Sequence, residues 1–349
     1  MFSNLSARKA ALLFAGFAAF VSPATASTHP GFAGTALTLL NGWTNGPFGT
    51  ASASVELING IVHFKGAIAQ SDANAEPFVL PAAFRPASRV YIPIDACGST
   101  NARLDILPSG DVSVETERSF DKGKCFISLD NATFAVSSDG FKPLKLLHGW
   151  GRYDSDAAVP AVQLIDGMVH FEGAIGTSKH NRVPFKMPTA LRPAETVYVK
   201  ADLCNATDGR LEIDPDGTVN VEVAKKFSNA KCFTSLDGVS YALNANGFAA
   251  LTLINGWGNY FNDRPAAVNL VNGVVHLQGA LETSGSNPNA FVLPSTYRPS
   301  KTVYLPVDLC DANNGRIVIT TDGNVAVQAE KDFSFSQCFT SLEGVSFVK

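Results

Sequence analysis

The chain is short of the features that mark nucleic-acid binders, helical bundles and membrane-spanning proteins. Its 27 Lys and Arg are nearly balanced by 31 Asp and Glu, for a net charge of -4. It has no basic block, no stripe of aromatic and basic residues and no acidic tail. Nucleic acid and anionic membrane surfaces are therefore excluded as favoured partners. No stretch after Ser27 shows sustained helical periodicity, and none is apolar and long enough to span a bilayer. No lipid-attachment cysteine follows the N-terminal apolar run. The fraction of hydrophobic residues, 46%, excludes disorder as the general state.

What is present begins with a signal peptide over residues 1–26. Arg8 and Lys9 form its basic start, residues 10–21 its short apolar run, and Ala24-Thr25-Ala26 its small-residue cleavage site. A four-residue linker, 27–30, follows. The mature chain is expected to be soluble and extracellular or periplasmic, with no membrane span after cleavage.

The rest is a threefold repeat. Trp43, Trp150 and Trp257 stand 107 residues apart, in LTLLNGW, LKLLHGW and LTLINGW. VELINGIVHFKGAI, VQLIDGMVHFEGAI and VNLVNGVVHLQGAL come next, then FVLPAAFRP, FKMPTALRP and FVLPSTYRP. VYIPIDAC, VYVKADLC and VYLPVDLC follow, and each copy closes with CFISLDNATF, CFTSLDGVSY or CFTSLEGVSF. A Gly-Phe pair opens each copy, giving modules 31–139, 140–246 and 247–349. Units of roughly 105 residues exceed solenoid repeats and carry their own cores.

Each module reads as strand. Asn59-Gly60, Asp166-Gly167 and Asn272-Gly273 separate paired apolar runs, the strongest short hairpin signal. Pro108-Ser109-Gly110, Pro215-Asp216-Gly217 and Thr321-Asp322-Gly323 mark a second hairpin, and Asp130-Asn131, Asp237-Gly238 and Glu343-Gly344 a third turn. Seven or eight strands per module are expected. Over 61–68, alternation puts Val62, Phe64, Gly66 and Ile68 on the core face and Ile61, His63, Lys65 and Ala67 on the other. The fold class is all-β: three tandem antiparallel β-sandwich or jelly-roll-like domains, each with one intradomain disulfide. Repeat symmetry and a common spacing of 28 favour Cys97–Cys125, Cys204–Cys232 and Cys310–Cys338. Two thiols per module with no recurring His nearby do not make a metal site.

Candidate ligand-binding residues fall in three groups. His63, His170 and His276 recur in VHF, VHF and VHL, as a ligand contact or as strand histidines covering a sheet. No Ser, Cys or carboxylate recurs beside them as a triad would require. Trp43, Trp150 and Trp257 are sugar platforms or core anchors with one wet edge. The loop after each Trp is the most divergent part of the module and holds Phe48, Tyr153, or Tyr260 with Phe261. Variable loops on a constant scaffold are where binding residues collect. The recurring Arg85, Arg192 and Arg298, each before Pro, serve as anion clamps or bond within the fold. Asn131-Ala-Thr and Asn205-Ala-Thr match the glycosylation acceptor.

The ordered phrases NGW, NGxVHFxGAI, FxLPxxxRP, RLxIxPxGxV and SLDGVSF resemble a module of tailed-phage tail fibre and baseplate proteins, also found in secreted bacterial proteins of unassigned role. The resemblance covers nearly all of each repeat. It implies a compact β attachment domain, often trimeric and without catalytic activity, and it assigns no ligand residues. The signal peptide, the added cysteines and three copies in one chain without a fibrous shaft depart from that pattern. They favour a secreted protein over a virion component. The function expected is non-catalytic attachment to a glycan, a cell-envelope polymer or a surface protein, with no cofactor and no metal. Two alternatives stand beside it. One is a structural protein whose modules pack about a pseudo-threefold axis. The other is a hydrolase in one diverged module, where His148 replaces Asn41 and Asn255 and His180 is near in sequence.

Overall fold

A computed structural model of the protein describes residues 34–261 and 263–349. The expected signal peptide of 1–26, the expected linker of 27–30 and the opening Gly31-Phe32 lie outside the described residues. In the first module, β1 is Thr35–Ala36, β2 Thr44–Asn45, β3 Ser54–Ile58, β4 Ile61–Lys65, β5 Ala67–Ala69 and β6 Phe78–Val79. They are followed by β7 Val90–Ala96, β8 Thr100–Ile106, β9 Asp111–Thr116, a one-turn helix α1 Asp121–Lys124, β10 Ile127–Ser128 and β11 Thr133–Ala135.

β3 and β4 pair with Ile58 opposite Ile61, leaving Asn59-Gly60 as a two-residue turn. Both turn residues have positive φ, 49° and 85°, the geometry of the type I′ turn that suits the twist of paired strands. Asp166-Gly167 and Asn272-Gly273 repeat it. With β1 and β11 this hairpin makes a four-stranded sheet, β1-β3-β4-β11. The remaining strands make a seven-stranded sheet, β2-β5-β10-β7-β8-β9-β6, and both orders recur in the other two modules. Among the described residues each module therefore has eleven strands rather than seven or eight. The additional ones are mostly pieces of two or three residues, too short to show alternation.

The run 61–68 is two strands, not one. At Gly66 the chain leaves the small sheet for the large one with φ +96°. A Cβ there would lie 2.5 Å from the Ala51 carbonyl oxygen, so the step between sheets requires glycine. Between the sheets Val55, Val62 and Phe64 meet Ile92, Ile94 and Leu104 in a closed core. The all-β sandwich class holds for all three modules, each with its own disulfide. Cys97–Cys125, Cys204–Cys232 and Cys310–Cys338 have Cα atoms 5.8 to 5.9 Å apart. In the first module the bridge ties the end of β7 to the end of α1.

The described residues form one compact unit. β7 and its equivalents, Val197–Leu203 and Val303–Leu309, touch one another pairwise, so the modules close into a ring about a pseudo-threefold axis. This packing covers the second face of the strands. Ile61 and His63, opposite the core face of β4, are buried as well, and β7 is buried at every residue.

Replacing Cys97 and Cys125 together with Ala is expected to lower stability by about 3 kcal/mol, from the entropy of a loop of this length in the unfolded chain. Urea unfolding of the variant against the parent protein checks this.

Candidate binding site at the module seams

β7 is bonded to β8 along its full length, but its other side meets β10 only at Ala96. The rest of that edge is open within its own module. The neighbouring module closes it. Tyr91 N donates to Asp237 Oδ2 at 3.1 Å, and Ser235 Oγ donates to the Tyr91 carbonyl at 2.6 Å. Ser341 Oγ serves the Tyr198 carbonyl in the same way, and Ser128 Oγ the Tyr304 carbonyl, each at 2.6 Å. The recurring Ser-Leu-Asp or Ser-Leu-Glu of the closing phrase thus caps a strand edge in the next module. Its acidic residue also reaches back into its own module, where Gly66, Gly173 and Gly279 donate to Asp130, Asp237 and Glu343 at 2.8 to 2.9 Å. Burial pushes the carboxyls of Asp130 and Asp237 up to about 7, against the backbone donors that favour the ionised form. Glu343 has a different partner: the buried Arg264 of the third module's divergent loop, at 3.1 Å.

A ring of ion pairs crosses the seams beside these caps. Arg103 meets Asp202 at 3.1 Å, Arg210 meets Asp308 at 2.8 Å, and Arg316 meets Asp95 at 2.9 Å. Each joins one module to the next, and together they close the circle. The three Asp side chains are fully buried. Burial raises their carboxyl pKa values above the usual range, and the arginines oppose it.

Each arginine lies over an aromatic pair drawn from two modules. Arg103 covers Tyr91 and Phe233, Arg210 covers Tyr198 and Phe339, and Arg316 covers Tyr304 and Phe126, with guanidinium-to-ring distances of 4.7 to 5.8 Å. The divergent loops deliver a third aromatic to each pair. Tyr153 packs edge-on against Phe233 with centroids 4.8 Å apart and Tyr260 against Phe339 at 4.9 Å, while Phe48 lies tilted against Phe126 at 5.8 Å. Phe48 is 65% exposed and Tyr153 43%, while Tyr260 is half-buried and its loop neighbour Phe261 is 77% exposed. These loops are the candidates from sequence that reach the surface. The seam Tyr, Phe, Arg and Asp were not singled out, although each recurs in a quoted phrase. Their signal was the recurrence of VY, CF and RL or RI.

The other candidates lie elsewhere. Trp43, Trp150 and Trp257 are buried, and their indole N–H groups donate to the carbonyls of Asn74, Asn181 and Asn287 at 2.8 to 3.1 Å. They anchor loops and present no open face. Arg85, Arg192 and Arg298 donate through Nε to carbonyls within their own modules, at 2.8 to 3.2 Å, and pack on the hairpin glycines. His148 takes the turn role of Asn41 and Asn255: all three have positive φ and bond a carbonyl across the same loop. His180 is an exposed loop residue. Asn131, in the first of the two glycosylation sequences, accepts from Ser346 N at 2.7 Å across a seam.

His63, His170 and His276 gather at the axis, around a small recess closed by the hairpin tips. There Asp166 accepts from Asn59 and Asn272 at 2.5 and 2.8 Å. Burial, reinforced by the neighbouring imidazoles, lowers His63 to about 3. Burial lowers His276 to about 3 and His170 to about 4, with Asp166 opposing in both. Among the described residues no group of His, Cys, Asp and Glu is placed to hold a metal ion. A wider polar cleft of about 330 Å³ runs between the first two modules near Asn59 and Asp166, and contains none of the aromatic candidates.

Compared with known proteins, the chain matches no family model, no curated protein and no solved structure.

Two outcomes follow from the charges. Truncating Arg210 to Ala leaves Asp308 buried without its partner and is expected to cost about 3–5 kcal/mol in urea unfolding. The histidines give a pH dependence of definite sign. Their native pKa values lie below the unfolded 6.5, so acid protonates the unfolded chain first. Stability drawn from them is complete above about pH 6.5 and falls toward pH 4, by up to about 1.4 kcal/mol per pH unit for each ring. Asp130 and Asp237 act in the opposite direction. The difference in unfolding free energy between the parent and H63Q/H170Q/H276Q, followed from pH 7.5 to 4.5, isolates the histidine part. A constant difference across that range would contradict it.

Proposed function

We propose that the protein is a secreted, non-catalytic attachment protein whose three seams each bind one unit of a glycan or cell-envelope polymer. The observation that carries this reading is the delivery of a loop aromatic onto a Tyr–Phe–Arg stack at every seam, open to solvent at Phe48 and Tyr153 and half-buried at Tyr260 beside the exposed Phe261. Flat aromatic faces beside a guanidinium suit the apolar faces and hydroxyls of a sugar ring. The loops that supply the outermost ring differ among modules while the stack beneath is constant, as expected for contact residues on a fixed scaffold. Three sites about one axis would bind a repetitive polymer with avidity. The kinship with phage attachment modules belongs to the same proposal. Where such modules assemble as trimers, three copies in one chain would supply the trimer directly.

Secretion is part of the reading. Three disulfides fit an extracellular or periplasmic protein. Among the described residues no helix is long and apolar enough to cross a membrane.

The test is binding of the disulfide-intact protein to an array of glycans and envelope polymers, together with F48A, Y153A and Y260A/F261A, singly and combined. Loss of one seam is expected to weaken apparent affinity by about 10²-fold as avidity falls, and loss of all three to abolish binding. Circular dichroism and urea midpoints should stay near the parent values. Unchanged binding by the combined variant would place the site elsewhere.

A further inference from the structure

Two departures from the repeat meet in one buried contact near the axis. Lys200 stands where the sister modules have Pro93 and Pro306, and Asp208 where they have Asn101 and Asn314. Lys200, Asp208 and Asn314 are 7%, 4% and 4% exposed. Lys200 Nζ donates to Asp208 Oδ1, and also to Asn314 Oδ1 of the third module at 2.6 Å. The Asn314 amide is held from its other end, where Nδ2 donates to the Ser99 carbonyl of the first module. Its carbonyl is thereby fixed toward the lysine. Asp208 Oδ2 has no hydrogen-bond partner, although it is buried.

We propose that Lys200 and Asn314 are the sites of an intramolecular isopeptide bond that joins the second and third modules, with Asp208 as proton relay. Three features support it. The amine already bonds the oxygen of the carbonyl group it would attack, which holds the two reacting groups side by side. Water is excluded, so hydrolysis does not compete. A carboxyl group touches the nucleophile, as proton transfer at the reacting atoms requires. Burial pushes Asp208 up to about 7, with Lys200 opposing, so its carboxyl can hold a proton at neutral pH.

The chemistry balances without a co-reactant. The ammonium of Lys200 passes one proton to Asp208. The free Nζ attacks Asn314 Cγ, forming the new C–N bond. The Cγ–Nδ2 bond breaks, and the departing nitrogen collects the proton held by Asp208 and one from Nζ. Ammonium leaves, Asp208 returns to its carboxylate form, and a secondary amide remains between the two side chains, so the chain itself loses the mass of one ammonia. No oxidation state changes.

Intact mass spectrometry of the full disulfide-bonded chain tests this directly. The expected mass, after allowing for three disulfides, is lower than that of the sequence by one ammonia. Proteolysis should yield a branched peptide whose fragments join Lys200 to Asn314. K200M, N314A and D208N are expected to show the unlinked mass and no branched peptide. A parent protein at the unlinked mass would overturn the proposal, whatever the variants do. So would an ammonia loss mapping to the Asn59-Gly60 or Asn272-Gly273 turn, or a Lys200–Asp208 link formed with loss of water.

Discussion

The open edge of β7 and of its two equivalents is the constraint on which the assembly depends. An unpaired edge in a β protein invites pairing with another chain. Here it is closed from within the same chain. A Ser hydroxyl and an Asp carboxylate of the next module satisfy the carbonyl and N–H of Tyr91. A tight turn does this with two side chains, where a strand would need a full ladder. Because every module both caps and is capped, three copies close without leaving an end.

The closed ring makes the interior of the assembly polar, and buried charges of opposite sign face one another there. Three buried aspartates face three arginines across the seams. The arginines continue outward over the aromatic pairs, so one side chain serves both the charge ring and the seam surface. Lys200 and Asp208 break the threefold symmetry together, adding one charge of each sign in a single module. Removing either partner of such a pair leaves a charge in a low-dielectric site, which explains why the departures come as a couple. Nearer the hairpin tips the imidazoles sit neutral, with one carboxylate, Asp166, bonded by two asparagines above them.

Surface and scaffold are divided along the same lines. Tyr91, Phe126, Phe233 and Phe339 are buried in the seams and recur with the repeat. Phe48, Tyr153 and Phe261 are exposed and belong to loops that differ in length and composition. The third loop also carries Arg264, which turns inward to the buried Glu343. One divergent loop can therefore contribute both to seam packing and to the outer face, which ties the geometry of each proposed site to two modules rather than one.

The features readable in the sequence are those whose cause is local. Positive φ at Asn59-Gly60 needs only two residues. The pairing of Cys97 with Cys125 follows from a short spacing repeated three times. The core face of β4 follows from alternation, since Val62 and Phe64 point the same way. Gly66 looks like a strand interior in the sequence because its requirement comes from the Ala51 carbonyl, 15 positions away and in contact only once the sheets stack. The burial of His63 was equally hidden, since the groups that cover it come from the other modules. The roles of Arg103, Tyr91 and Ser235 lay beyond any local pattern, because their partners stand about a hundred or more positions away. The repeat alone determined the modules. The closing of the modules into a ring came only with tertiary structure, where the free strand edge and the ring arginine of one module find their complements in the next.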